Sequence, residues 1–455
     1  MFMLHIMDTM LQTIDNFFQT VSGFVWGQYM LMLLVGTGII LTILLRGITF
    51  RKLLSALRLI LKPPDSSQQE GDISPFQALT TALSATIGTG NIAGVATAIT
   101  LGGPGAIFWM WVCALFGMAT KFSEAVLAVL YRRHLPDGTI SGGPMLYLSR
   151  GLGLKWLGML FACFGAVSAF GIGNMVQSNS VSLALHEAFG VPQLVTGVVL
   201  AGLTALVIIG GIRRIGKVTE KIIPLMALFY FGFGLLILFL NIDHVPSVFR
   251  LIFLHAFTPC AAGGGFTGAA VAQAVRYGFA RGIFSNEAGL GSAPIAHAAA
   301  KTDSAVRQGL LSMTEVFIDT IIICSTTAFV ILLSPEVWQS GLTSSRLTTH
   351  AFETFLPGIG KYVVSIGLAA FAYSTLIGWS YYGEECIEFL LGIKARAPYR
   401  WVFCALVVVG AQVKVGLVWN FSDAMNGAMA IPNLVGLLGL SYVVYQETMR
   451  YFKKI

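Results

Sequence analysis

The sequence predicts an all-α polytopic membrane protein of about eleven spanning helices, and three observations carry that expectation. Hydrophobic residues make up 56% of the chain and charged residues 11%, where soluble globular chains carry about 25% charged. Apolar runs of roughly 18 to 25 residues, enough to cross a ~30 Å hydrocarbon core, recur throughout. Lys and Arg gather in short clusters between those runs, so the net charge of +7 points to a lipid bilayer as partner and not to nucleic acid.

Residues 1–22 have no basic n-region and no Ala-x-Ala-like site, which argues against a cleavable signal peptide and leaves an external amphipathic helix or a lead-in. A first span, 24–45, is set apart by the polar, turn-rich loop 62–72, so residues 1–72 read as an accessory unit. Spans 76–101, 104–130, 156–185, 191–210 and 222–241 make a first half, 73–241. Spans 248–279, 310–333, 362–390, 401–414 and 424–445 make a second, 242–446, followed by a tail, 447–455. Five is odd, so the halves face opposite ways across the membrane, as an inverted repeat requires.

The basic residues set the orientation. Arg46, Arg51, Lys52, Arg58 and Lys62 form one cluster, Arg132, Arg133, Arg150 and Lys155 a second, and Arg213, Arg214, Lys217 and Lys221 a third. Arg276, Arg281, Lys301 and Arg307, then Lys394, Arg396 and Arg400, then Arg450, Lys453 and Lys454 complete that side. It reads as cytoplasmic, with the N-terminus outside and the C-terminus inside. Only Arg250, Arg346, Lys361 and Lys414 fall opposite.

Within span 76–101 stands Ser84-Ala-Thr-Ile-Gly-Thr-Gly-Asn-Ile-Ala-Gly94, a glycine-interrupted, hydroxyl-rich break. Irregular backbone at membrane depth survives only inside protein or beside a water-filled cavity, where its N–H and C=O groups become ligands for small zwitterions and ions. Gly88 and Gly90 let the chain unwind, and Thr86, Thr89 and Asn91 add oxygens that suit a hard cation such as Na⁺. A second glycine-rich stretch, Ala262-Gly-Gly-Gly-Phe-Thr-Gly268, interrupts the first span of the second half. Glycine in a membrane helix also serves close packing, and the matching positions favour a site over packing.

Three stretches resemble the alanine/glycine:cation symporter family of the amino acid–polyamine–organocation superfamily: 84–94, Ala280-Arg-Gly-Ile-Phe-Ser-Asn-Glu-Ala-Gly-Leu-Gly-Ser-Ala-Pro294, and Glu315-Val-Phe-Ile-Asp319. The likeness covers nearly the whole chain after Asp72. It implies a leucine-transporter fold and Na⁺-coupled uptake of alanine or glycine by alternating access. On the motif Gly88-Thr-Gly-Asn91 it implies substrate contacts at Ile87, Gly88, Thr89, Gly90 and Asn91, with the amides around Thr89 and Gly90 on the carboxylate. Gly265 and Phe266 resemble a Gly-Phe pair whose ring closes over the substrate. Carbonyls of Ser84 and Ile87 with hydroxyls of Ser374 and Thr375 look like a shared sodium site. Trp379 falls on the same helical face as Thr375, where its bulk suits a small substrate.

Other polar residues in spans carry two readings each. Asn174 and Gln177 share a face and either meet the substrate ammonium or bond neighbouring helices. Lys121 and Glu124 form an internal ion pair or a gate. Glu315 and Asp319 are costly acids at membrane depth and so functional, whether by gating, structure or proton relay. Cys113, Cys163, Cys260, Cys324, Cys386 and Cys404 are scattered without a Cys-x-x-Cys pair, His297 has no nucleophile motif beside it, and no Walker A pattern occurs. Those features weigh against an enzyme, a cofactor or direct use of ATP. H⁺ stays open as the coupling ion, and a membrane-embedded enzyme stays the alternative from another class.

Overall fold

The computed structural model describes residues 2–61, 69–258, 267–413 and 415–453, and nearly all of them are helical. Among the described residues, five helices are long and apolar enough to cross a membrane: Ala106–Leu130, Lys155–Phe189, Gly211–Leu240, Ala305–Leu332 and Gly360–Leu391. The number rises to seven if two bent pairs, Asp15–Val25 with Gln28–Leu44 and Trp419–Gly439 with Ser441–Lys453, each form one span. The expected eleven is larger because several apolar runs are cut short. Pro75–Thr86 and Ala93–Gly102 have 12 and 10 residues, and Gln193–Ile208 and Arg396–Gly410 have 16 and 15.

Burial sorts these helices into centre and rim. Ala106–Leu130 and Gly360–Leu391 are each 78% buried over their most apolar window, whereas Gly211–Leu240 is 28% buried and exposes Leu225, Leu228, Leu235 and Phe239. Apolar side chains turned outward around a polar-lined centre are what lipid as solvent demands. Central polar residues, including Ser84, Asn91, Lys121, Glu124, Glu315 and Asp319, are fully buried.

The helix that opens the first half is built for an abrupt start. Ser74 accepts the Gln77 N–H while the Gln77 side chain accepts the Ser74 N–H, and Pro75 occupies the first turn. It stops at Ile87, which leaves helical geometry, and Gly88 is fully extended. A short 3₁₀ turn, Thr89–Asn91, precedes Ala93–Gly102.

The second half departs from expectation. The expected span 248–279 is two helices, Val245–Phe257 and Thr267–Asn286, and the second of these runs on to a break at 287–292 before the short helix Ala293–Ala298. Glu287, Gly289 and Gly291 all take positive φ there, which ends a helix outright. The break expected at 262–268 falls for the most part outside the described residues, and Gly265 and Phe266 with it. The helix extends beyond 279, so Arg276 and Arg281 stand before the break and Lys301 and Arg307 after it.

A small hairpin, Arg133–His134 against Ile140–Ser141, tightens the basic side. There Ile73 bridges Ala300, Asp72 accepts from Arg213 and the Ile140 N–H, and Arg132 donates to the carbonyls of Ala298, Ala300, Thr302 and Glu70. Glu384, Glu385 and Glu388 at the end of Gly360–Leu391 pair with Arg400, Arg396 and Arg133.

Candidate functional site

The first break frees two carbonyls by a local exchange of partners. In an unbroken helix the Gly88 N–H would bond Ser84 O and the Asn91 N–H would bond Ile87 O. Instead the Gly88 N–H donates to Asn91 Oδ1 at 2.9 Å, and the Asn91 N–H turns to Gly88 O at 3.3 Å. Onto the freed pair come two hydroxyls from the long helix Gly360–Leu391. Ser374 Oγ lies 3.3 Å from Ser84 O and 3.4 Å from Ile87 O, and Thr375 Oγ1 lies 3.4 Å from Ile87 O.

Each hydroxyl has a single hydrogen, and each has a shorter acceptor in Phe371 O, at 2.7 Å for Ser374 and 3.1 Å for Thr375. When those hydrogens turn to Phe371 O, the four oxygens are left with only lone pairs toward one another. That arrangement repels itself and suits a hard cation such as Na⁺. Glycine brings the helices this close: a Cβ at Gly378 would sit 2.5 Å from Ser84 Oγ, and one at Gly88 would sit 2.6 Å from Thr375 Oγ1.

Around the break the polar atoms divide into spent and unspent. Thr89 Oγ1 and Gln177 Oε1 are buried with no partner among the described residues. Gln177 Oε1 lies 3.5 Å from where a Gly88 Cβ would be, while its Nε2 donates to Ile172 O at 2.9 Å. Asn174 faces elsewhere, giving its Nδ2 to Phe403 O at 2.7 Å. Asn91 Nδ2 donates to Asp319 Oδ1 at 2.6 Å, and Asp319 Oδ2 accepts from Ser285 at 2.9 Å and Thr320 at 2.8 Å. Asp319 thereby ties the first break to the helix that ends at the second.

The second break faces the first directly. A Cβ on Gly90 would meet Phe284 Cδ1 and Ser285 Cα, each at 3.3 Å. Glu287 accepts from Trp379 Nε1 at 2.9 Å and from Ser292 Oγ at 2.5 Å, and Trp379 packs so tightly that a Cβ on Gly173 would sit 2.1 Å from its own. Glu124 Oε1 accepts the Gly291 N–H at 3.2 Å and Asn433 Nδ2 at 2.6 Å. Lys121 does not pair with Glu124 as expected. It reaches across to Glu315 on Ala305–Val316 at 3.3 Å, and His297 takes the other Glu315 oxygen. Glu315 is thus the joint of three helices, which one helix's own spacing could not reveal.

Sequence reasoning missed Phe284, Ser285, Glu287 and Asn433. The available signal was Asn286-Glu-Ala-Gly-Leu-Gly-Ser292, whose paired glycines mark a break as plainly as Gly88 and Gly90 do.

Two facing helix breaks, buried at the centre of a many-helix bundle with an apolar rim, define an integral multi-pass membrane transporter. The comparisons with known proteins narrow the class. The model of the sodium:alanine symporter family matches residues 11–455. The sodium/alanine symporter AgcS of Methanococcus maripaludis is 55% identical over 95% of this chain and 96% of its own length. The probable sodium/glutamine symporter GlnT of Bacillus subtilis is 40% identical over 98% of this chain and 92% of its own. The chain belongs to the sodium:alanine symporter family. Among solved structures, the manganese transporter of Eremococcus coleocola aligns over 83% of this chain and 82% of its own with a TM-score of 0.52 at 15% identity, a likeness of fold alone.

Proposed function

We propose that this protein imports small neutral amino acids, alanine and glycine, together with Na⁺ by alternating access. The observation that carries the reading is the meeting of Ser84 O, Ile87 O, Ser374 Oγ and Thr375 Oγ1 beside an unwound helix. In this reading Na⁺ is cargo held by those four oxygens, and no further cofactor is required. The amides of Thr89 and Gly90 take the substrate carboxylate, and the unspent oxygen of Gln177 takes its ammonium. Thr375, Trp379 and Asn91 wall the pocket, and Phe284 supplies the ring assigned from sequence to Phe266. The closeness of Gly90 to Phe284 and Ser285, and of Gly88 to Thr375, supports a small substrate. Lys121, Glu124, Glu315 and Asp319 hold the broken helices in register. The name of the Methanococcus maripaludis relative supports alanine and sodium.

The same reading includes an accessory unit, 1–72, two inverted five-helix halves, 73–241 and 242–446, and a tail, 447–455, eleven spans in all by the sequence estimate. A break at 87–92, after the first helix of its half, and another at 287–292, after Thr267–Asn286 in the second, support the repeat. The N-terminus lies outside and the C-terminus inside. Purified protein in liposomes should accumulate labelled alanine when Na⁺ is high outside, and not with K⁺ alone. Uptake that follows a pH gradient and ignores Na⁺ would overturn the reading in favour of H⁺ coupling.

A further inference from the structure

The accessory helix Gln28–Leu44 and the helix Thr267–Asn286 run in the same direction. Trp26 borders the same space as Arg276 and Tyr277 at one end. Further along, Leu34 reaches the second break, where a Cβ on Gly289 would sit 2.6 Å from Leu34 Cδ2. Between the two helices lies a groove of about 730 Å³, within the ~300–1,000 Å³ of ligand pockets. Leu31, Val35, Gly36, Ile39, Val275 and Phe279 line it, and apart from Gln28 its wall holds one polar side chain, Arg276.

Two glycines of the accessory helix differ in what they leave room for. A Cβ on Gly38 would sit 2.9 Å from Phe116 O, so that glycine lets two helices close together. A Cβ on Gly36 would meet nothing within 4 Å, so this glycine makes room without a protein neighbour to fill it. Met32, one turn away on the same wall, is 66% exposed, and the groove opens there to the lipid-facing rim. An apolar groove open to a bilayer is filled by hydrocarbon, because lipid chains are the solvent at that depth.

Arg276 marks where a head group would lie. The ten residues from Arg276 to Asn286, where the helix stops at the central break, rise ~15 Å. Half of a ~30 Å hydrocarbon core is the same length. The guanidinium therefore stands at the level of lipid phosphates, and the groove leads from it toward the bilayer centre. Arg276 is exposed, lies 5.7 Å from the centre of the Tyr277 ring, and pairs with no carboxylate among the described residues. A charge beside hydrocarbon calls for a counter-charge, and the planar fork of Arg matches a phosphodiester.

We infer that this groove binds one anionic phospholipid, with an acyl chain along Gly36 between the two helices and the phosphodiester on Arg276. An unpaired cation favours a head group of net negative charge over a zwitterionic one, whose ammonium it repels. The lipid touches both helices and so fastens the accessory unit to the helix that ends at the second break. The inference needs only that the chain spans a bilayer, and it holds whatever the cargo is.

Native mass spectrometry of the full chain in detergent, titrated with phosphatidylglycerol or with phosphatidylcholine of the same acyl chains, reads the site. The unaltered protein should hold one phosphatidylglycerol about tenfold more tightly than phosphatidylcholine, the weight of one charge-assisted contact. Arg276→Gln should erase that preference. Gly36→Phe, whose Cβ enters open space and whose ring fills the groove, should lose the tightly held lipid of either kind. Equal retention of the two lipids by the unaltered protein means annular lipid only and overturns the proposal, as does a preference that survives in either variant. Dimers that vanish in Gly36→Phe would give the groove to a second copy of the chain and overturn it too. If a variant fails to fold, displacement of labelled phosphatidylglycerol from the unaltered protein decides. Single-chain phosphatidylglycerol should displace it and glycerol phosphate should not; displacement by glycerol phosphate would make the site one for free phosphate and overturn the lipid assignment.

Discussion

The break at 87–92 and the break at 287–292 interrupt two helices that face each other, and they satisfy their loose backbone in opposite ways. The first uses neutral groups and its own residues: Asn91 caps Gly88, and the carbonyls of Ser84 and Ile87 are left to face hydroxyls. The second uses carboxylates from elsewhere as well as its own: Glu124 takes the Gly291 N–H, and Glu287 takes Trp379 and Ser292. The lesson is a division of labour. The first break leaves backbone oxygens without N–H partners and has one buried carboxylate, Asp319, behind its capping Asn91, whereas the second spends its carboxylates on holding shape.

That comparison can be broken at its strongest point by Gly88→Val. The new side chain would collide with Thr375 Oγ1, 2.6 Å from the Cβ position alone, while the rest of the helix stays packed. The expected outcome is folded, monodisperse protein with alanine binding weakened roughly a hundredfold or more, about 3 kcal/mol, measured by calorimetry on the same sample. Wild-type affinity in well-folded protein would mean that the break is only a packing device.

Next in size is Glu287→Ala, which leaves the Trp379 N–H and the Ser292 hydroxyl buried without their acceptor. Each orphan costs about 1–3 kcal/mol, so the melting temperature should fall markedly while the Na⁺ concentration for half-maximal uptake stays put in whatever protein folds. A changed Na⁺ dependence at unchanged stability would reverse the assignment of roles to the two breaks.

Thr375→Ala should do the converse. Removing one neutral ligand of four should raise the Na⁺ requirement about tenfold, with thermal stability within a degree or two of the parent, since the hydroxyl is already bonded to its own helix at Phe371. Uptake assayed across a Na⁺ series decides it. The smallest effect belongs to Trp379→Ala, expected to weaken alanine a few-fold and let leucine compete, because the space vacated beside Gly173 enlarges the pocket. Competition by unlabelled leucine against labelled alanine reads it out, and continued exclusion of leucine would assign the ring to packing.

The neutral break was legible in sequence because its grammar is local: glycines, hydroxyls and an asparagine within eleven residues of an apolar run. The meeting of Ser84, Ile87, Ser374 and Thr375 rested on resemblance, since nothing in the spacing of residues 290 apart brings them together. The ionic break was harder to see. Glu287 sits in a stretch that reads as a polar loop, and a carboxylate at membrane depth looks like an error in span assignment until its partners Trp379 and Ser292 are known. The same limit hid the link from Lys121 to Glu315. The π-helical turns Gly171–Met175 and Phe317–Cys324 have no signature in composition at all, because an extra residue per turn alters register without altering residue type.

Arg132 has a kinetic meaning beyond its structural one. A single guanidinium holds the carbonyls of Ala298, Ala300 and Thr302, just past the second break, and that of Glu70 on the other side. Bonds gathered on one rigid fork cannot be surrendered one at a time as the segment drifts. They release together, with the short bridge between Ile73 and Ala300 beside them. A fastening of that kind behaves like a catch and not a spring: it leaves few half-open states and concentrates the cost of opening in one barrier.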